Sequence, residues 1–376
     1  MKILQKIGFY FSLFSAFSAV FLFIIYSKYS EKFLTLDELL ASWEYVYADL
    51  LQNIQSFQWN GEYIVLSTHV FLSILIFVLT FGVLYSIFYF LTHFKEISQR
   101  KLIQKAFTQY VGPGVVKNIL ARPESLVLGG KSAYLTVYFV DINHFSDLTA
   151  SYHPKQVVKY LNEYFSEMSE NILENDGTID KYEGDAIMAF WGAPSPQDDH
   201  AVLACKTALD HLEKISNLRK KWKKQKKPEL TIKIGVTSGE MIVGNIGSKG
   251  HFNYTVIGEA VNLAAQLEKL NNYYATKILV SERTYHKAKH DFEFREIGEE
   301  HFKGHKEPIR IFELLAEKGK LKAGESELVA KYHEALEAFR EKDFELAKKA
   351  INHCLRIAAK DKPSKILRER VLKEVK

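Results

Sequence analysis

Two aspartates that border apolar stretches are the residues of this chain best placed to do chemistry. Asp141 ends the apolar run 133–140. Asp185 sits inside residues 177–194, Gly-Thr-Ile-Asp-Lys-Tyr-Glu-Gly-Asp-Ala-Ile-Met-Ala-Phe-Trp-Gly-Ala-Pro. That second stretch reads as a tight β-hairpin. Ile179 alternates with Lys181 on one arm, Glu183-Gly184 is the turn, and 186–191 is an apolar second arm. A carboxylate lifted to the mouth of a sheet is a hard oxygen ligand for Mg²⁺. One such turn alone says little. Two strand-end aspartates side by side could hold a pair of metal ions on a polyphosphate.

Holding two such residues together takes a sheet backed by helices. Residues 133–140 are expected as a strand, and 153–175 as an amphipathic helix with Val157, Leu161, Tyr164, Phe165 and Met168 on one face. A second helix is expected over 196–218, with Val202, Cys205, Leu209 and Leu212 inward, which makes Cys205 a core residue before a reactive one. Residues 230–236 alternate as a half-buried strand should, with 241–245 as its hairpin partner. A helix over 259–270, a strand over 277–280, a helix over 281–289 and closing strands over 292–302 and 308–315 follow. This is an α+β pattern, with helices on one face of a mostly antiparallel sheet. Upstream, 96–120 reads as a helix broken at Gly112-Pro113-Gly114. The basic run 219–227 is expected as a solvated loop, with anionic headgroups as the alternative.

The chain has 376 residues, enough for one or two domains with real cores. Its net charge of +5 is mild and gives no reason to expect a nucleic acid partner. Only Cys205 and Cys354 occur, which argues against a disulfide framework or a Cys-rich metal site. The mean hydropathy of −0.13 averages an apolar N-terminal quarter with a polar remainder. Residues 7–26 carry no charge and are long enough to cross a bilayer; a signal peptide is the alternative. Residues 64–90 form a second apolar run. The segment 27–63 between them is acidic, whereas Lys2, Lys6, Lys95, Arg100, Lys101 and Lys105 flank the pair, which places both termini in the cytoplasm. The expected division is a membrane anchor over 1–92, a linker helix over 93–130, a catalytic domain over 131–317 and a helical tail over 318–376. In the tail, 325–359 looks like one helical hairpin of the tetratricopeptide type, with Ala335, Phe339, Ala347, Ala350 and Pro363 near the usual places. One such unit cannot bury its own apolar face, so it needs the catalytic domain, a dimer mate or another protein partner.

Three motifs, in order, resemble the class III nucleotidyl (adenylate/guanylate) cyclases. They are Val-Tyr-Phe-Val-Asp-Ile over 137–142, Asp-Lys-Tyr-Glu-Gly-Asp-Ala-Ile-Met over 180–188, and Tyr-Thr-Val-Ile-Gly-Glu-Ala-Val-Asn-Leu-Ala over 254–264. The likeness is to bacterial adenylate cyclases and runs roughly from 106 to 315. It implies a ferredoxin-like catalytic domain, a transducer helix around Phe107-x-x-Tyr110-Val111-x-Pro113, and conversion of ATP to 3′,5′-cyclic AMP and pyrophosphate. Two Mg²⁺ or Mn²⁺ ions per site are implied, held by Asp141, Asp185 and the Ile142 carbonyl. The backbone from Ile142 to Phe145 would cradle phosphate oxygens, although His144 stands where the family often has Gly.

The resemblance also implies base choice by Lys181 and Thr255. A Lys donor and a hydroxyl acceptor suit adenine N1 and its N6 amine, whereas guanine presents the reverse pattern. Asn262 would orient the ribose. Four residues on, the family has an Arg that stabilises charge on the reacting phosphate; this chain has Gln266, which brings no charge. Lys269, on nearly the same face, could in part replace it. Lys303 and Lys277 match triphosphate contacts. In the family the metal aspartates come from one chain and Lys181, Thr255, Asn262, Gln266 and Lys303 from the other, so a head-to-tail homodimer is expected. Together these features point to a two-pass protein of the cytoplasmic (inner) membrane, embedded in the lipid bilayer with its catalytic domain in the cytoplasm. The alternatives are a nucleotide-binding regulatory protein with weak catalysis, motivated by Gln266 and His144, and a guanylate cyclase, disfavoured by Lys181.

Overall fold

The computed structural model describes Gln58–Trp59, Glu62–Tyr63 and residues 68–375. The apolar run 7–26 and most of the segment 27–63 lie outside the described residues. The chain divides into two compact units, 1–106 and 107–376. In the first, Gln58–Trp59 pairs with Glu62–Tyr63, and helix α1 (Thr68–Val111) begins. The run 64–90 falls largely on the first half of α1. No helix among the described residues is long and apolar enough to cross a membrane, so the two-pass anchor is not found there. Helix α1 stops where the sequence breaks it. Gly112 takes φ +83, and Pro113, which has no N–H to donate, opens α2 (Pro113–Ala121).

The second unit is built on an eight-stranded sheet. In chain order its elements are β1 (Gly129–Ile142), α3 (Phe145–Ser151), α4 (Pro154–Glu174), β2 (Thr178–Glu183), β3 (Ala186–Trp191), α5 (His200–Lys224), β4 (Ile232–Ser248), β5 (His251–Ile257), α6 (Glu259–Tyr274), β6 (Ile278–Ser281), α7 (Glu282–Ala288), β7 (Phe292–Glu300) and β8 (Ile309–Glu317). The strand order is β2-β3-β1-β4-β6-β8-β7, with β5 paired to the second half of β4. Neighbours are antiparallel except β4 and β6, which run parallel through Ile234 and Ile278.

Successive residues of a strand point to opposite faces. In β1 every residue from 135 to 140 is buried, so both faces of the sheet must be covered. Tyr138 and Val140 join Tyr164, Met168 and Cys205 beneath α4 and α5. Leu135, Val137 and Phe139 join Val256, Ala260 and Ala264 beneath β5 and α6. The expectation of helices on one face only is therefore corrected. Helix α6 lies very close to β4: a Cβ on Gly235 would sit 2.2 Å from the Ala264 carbonyl oxygen and 2.4 Å from the Glu268 nitrogen.

Two further local expectations are corrected. Residues 230–236 and 241–245 are not a hairpin but parts of one long strand, β4, whose hairpin partner is β5. The basic run is not a loop: 219–224 are the last turns of α5, where basic side chains complement the helix dipole. Lys221 and Lys227 pair with Glu163 at 2.8 and 2.5 Å.

The tail is three helices rather than a hairpin alone: α8 (Ala323–Arg340), α9 (Phe344–Ile357) and α10 (Lys362–Glu374). Pro363 sits in the first turn of the third. The chain's own sheet covers its inner face. Ile366 packs with Leu263, Leu267, Tyr274 and Ile297. Buried Arg295 of β7 spans Glu313 at 2.5 Å and Asp361 of the tail at 2.9 Å.

Candidate active site

The acidic centre is assembled by strand register. Antiparallel pairing puts Asp141 of β1 opposite Lys233 of β4. The β2–β3 turn is Gly184-Asp185, one residue later than expected, with Gly184 at φ +66 supplying the positive φ that a two-residue hairpin requires. The Ile142 N–H then donates to both carboxylates, to Asp141 Oδ1 at 2.9 Å and to Asp185 Oδ2 at 3.2 Å. Lys233 Nζ lies 3.3 Å from Asp141 Oδ2 and 3.0 Å from Glu268 Oε1 on α6. Burial, with the hydrogen bond and charge of Asp141, pushes the Asp185 carboxyl well above the ordinary carboxylate range. Burial also raises the Glu268 carboxyl, against the pull of Lys233.

Three carboxylates thus converge against a single ammonium. That excess of hard oxygen and negative charge fits divalent cations. No cluster of three or more His, Cys, Asp or Glu side chains shaped to hold a metal occurs among the described residues, so the candidate donors remain the Asp141–Asp185 pair and backbone oxygen.

The loop after Ile142 turns through His144, which is left-handed at φ 56 and ψ 36, before α3 starts at Phe145. Glycine adopts this conformation without steric cost, and His is among the side chains that tolerate it. His144 therefore keeps the turn without demanding a different path. Phe145 packs against the main core. Lys277, just before β6, lines an open cleft of about 420 Å³ together with Asn143 and His144 of this loop and Asn271.

A second group forms around a residue that the sequence reading passed over. Lys181 Nζ is 3.3 Å from Asp180 Oδ1, and the Thr255 hydroxyl donates to Asp180 Oδ2 at 2.5 Å. The two candidate base-reading residues, one on β2 and one on β5, meet on one carboxylate with no exposed side-chain surface. The expected alternation of Ile179 with Lys181 is corrected, because the β2–β3 register shifts between these residues. Asp180 is the extra residue of a β-bulge. Ile179 and Tyr182 face the helices, Tyr182 against Phe165 with ring centroids 4.6 Å apart, while Asp180 and Lys181 both turn toward β5.

The third group rides on α6. Asn262 is exposed there, as is Lys269. Gln266 does not project freely. Its Oε1 accepts from the Lys303 N–H at 3.0 Å, and its Nε2 donates to the carbonyls of Lys303 and Asn262, both at 3.3 Å. His305 Nδ1, 2.6 Å from Glu259 Oε1, ties the same turn to the start of α6. Gln266, Asn262 and Lys303 are thus brought together. Among the described residues, no hydrogen bond or ion pair joins the Asp141–Asp185 group to the Asp180–Lys181–Thr255 group.

Sequence reasoning missed Asp180, Lys233 and Glu268. Lys233 falls on the polar side of the alternating run 230–236, so nothing local marked it as facing a charged partner.

Residues 130–316 match the family model for the adenylate and guanylate cyclase catalytic domain. Adenylate cyclase 1 of Rhizobium meliloti (strain 1021) is 32% identical over 212 residues, 56% of this chain and 31% of that protein. The adenylyl cyclase CyaB from P. aeruginosa is 34% identical over 52% of this chain and 100% of the crystallised chain, with a TM-score of 0.48. The guanylyl cyclase Cya2 is 30% identical over 52% of this chain and 98% of that chain, with a TM-score of 0.47. The chain spans less than half the length of the curated relatives it matches. The two aspartates meeting at Ile142 lie within the matched segment, and this chain belongs to the class III adenylate and guanylate cyclase family.

Proposed function

We infer that the domain converts ATP to 3′,5′-cyclic AMP and pyrophosphate, in sites completed by two copies of the chain. The observation that carries the metal half is the meeting of Asp141 and Asp185 on the Ile142 N–H. The preference for ATP over GTP is carried by the meeting of Lys181 and Thr255 on Asp180. A lysine donates to adenine N1, and a threonine oxygen accepts from the N6 amine. In the reaction the ribose 3′-hydroxyl gives up its proton to solvent, its oxygen bonds to the α-phosphorus, the bond from that phosphorus to the bridging oxygen breaks, and pyrophosphate leaves with the electron pair of that bond. Divalent Mg²⁺ or Mn²⁺ at Asp141, Asp185 and the Ile142 carbonyl would supply Lewis-acid stabilisation of the entering and leaving oxygens. Asn262 orients the ribose, Lys303 and Lys277 neutralise the triphosphate, and the backbone from Ile142 to Phe145 holds its oxygens.

A second reading, weak turnover with nucleotide binding retained, is favoured by one observation: the Gln266 amide is already engaged with the Lys303 backbone. Residence at a membrane is a separate proposal. It rests on the uncharged run 7–26 and on the charge contrast between 27–63 and its flanks, and fractionation of cells tests it. Initial rates with ATP and GTP, in Mn²⁺, beside Asp141→Ala, test the activity. Cyclic AMP formation lost in Asp141→Ala supports the first reading, and binding without turnover supports the second. A preference for GTP overturns the assignment of substrate.

A further inference from the structure

Nothing in the motif reading gives Asp180 a task, yet the fold goes to some length to bury it. A β-bulge puts it on the same face as Lys181. Its side chain has no exposed surface, and its Oδ2 is held from two sides, by the Thr255 hydroxyl at 2.5 Å and the Val256 N–H at 3.3 Å. Burying a carboxylate is costly unless it is paired and hydrogen-bonded, and here the hydrogen bonds come from Thr255 and Val256.

We propose that Asp180 is a positioning residue for base selection: it fixes the Thr255 hydroxyl as an acceptor toward the substrate base, so that an exocyclic amine is taken and a carbonyl is refused. This rests on the reading of Lys181 and Thr255 as the base-contacting pair. A hydroxyl has one proton and two lone-pair sites. The Thr255 hydroxyl donates to Asp180 Oδ2, so its proton is committed there and what remains on Thr255 is lone pairs. These meet the N6 amine of adenine favourably and the O6 carbonyl of guanine unfavourably. The Val256 N–H pins the accepting oxygen, which prevents the carboxylate from rotating away. The other oxygen, Oδ1, lies 3.3 Å from Lys181 Nζ. That ammonium is still 41% exposed and has donors left for adenine N1. One buried side chain thereby sets the polarity of the Thr255 hydroxyl, while Lys181 is a donor with or without it.

The test is the affinity of the full chain, with Mn²⁺, for 3′-deoxy-ATP and 3′-deoxy-GTP, which lack the nucleophile and so report binding alone. Wild type, Thr255→Val, Asp180→Ala and the double variant are compared by calorimetry. Wild type is expected to favour the adenine nucleotide. Thr255→Val and Asp180→Ala should each lower the preference about tenfold, and the double variant should lower it no further than Thr255→Val does, because Asp180 acts through Thr255. Loss of preference in Thr255→Val but not in Asp180→Ala overturns the role of Asp180 and spares the base-contacting pair. Additive losses in the double variant also overturn it. A preference unmoved in both single variants, or no adenine preference in wild type, overturns the pair and the proposal together. Should Asp180→Ala not fold, Asp180→Leu, of similar volume and without an acceptor, carries the same comparison. A merely structural role would lower melting temperature and both affinities alike, leaving the ratio unchanged.

Discussion

Gln266→Ala should weaken ATP binding more than it slows chemistry. The side-chain amide closes a reciprocal pair with the Lys303 backbone, one bond at 3.0 Å and one at 3.3 Å shared with Asn262. Each such bond is worth about 0.5–1.5 kcal/mol net, and the shared one falls at the low end, so the clamp contributes about 1–2 kcal/mol. Two other ties remain in the variant: Phe302 stays buried against α6, and His305 still meets Glu259. The turn is therefore loosened rather than released. The KM for ATP should rise about 5–30-fold, with a smaller fall in kcat. In a Lys303→Ala background the same substitution should add less than about twofold, because its effect passes through Lys303. Gln266→Arg is the complementary case. A guanidinium has no acceptor for the Lys303 N–H, so KM should rise, but it brings the charge that the family places there, worth about 10²–10³ in rate. Steady-state kinetics of cyclic AMP formation read both effects. An unchanged KM in Gln266→Ala refutes the clamp, and a kcat that falls in Gln266→Arg refutes the idea that charge is what this position lacks.

Acid should unfold the domain through two buried histidines. Burial holds His200 and His211 down to about 4. Between pH 4 and the unfolded value near 6.5 the unfolded chain binds more protons, so stability rises with pH across that window and is complete above it. Each contributes roughly 3 kcal/mol, and His211→Gln should flatten the pH dependence of urea unfolding; a slope equal to wild type counts against it. Gly235→Ala should force α6 off the sheet, since its Cβ has no room beside the Ala264 carbonyl. A loss above about 3 kcal/mol is expected, and a melting temperature within a degree or two of wild type would show that the helix is not pinned there. Arg295→Met leaves Glu313 and Asp361 without their cation, at a cost of about 3–5 kcal/mol. Limited proteolysis should then cut the tail first; a protected tail contradicts this.

Asp141 and Asp185 were legible because each borders an apolar run, and register alone brings strand ends together. What local pattern could not show is where that pattern is broken. Alternation put Ile179 and Lys181 on one face, but a bulge has no signature in single-chain periodicity, and it is the bulge that buries Asp180. Thr237-Ser238-Gly239-Glu240 looked like a turn between two strands. It is instead continuous strand, because the hydroxyls of Thr237 and Ser238 find buried partners in Ser281 and Thr136. Lys233 looked outward-facing until α6 was placed above it, where Glu268 pairs with it. The Gln266 departure was visible as a residue type, while its engagement with Lys303 depends on a contact between positions 37 apart.

The sharing of each site between two chains is tested most directly by complementation. Asp141→Ala and Lys181→Ala should each be inactive alone, one lacking the metal side chain and the other the base reader. Mixed in equal amounts and allowed to exchange, half of the dimers are mixed and one of their two sites is intact, so about a quarter of the wild-type rate of cyclic AMP formation should return. No recovery, with mixed dimers demonstrably formed, would contradict a site built from two chains.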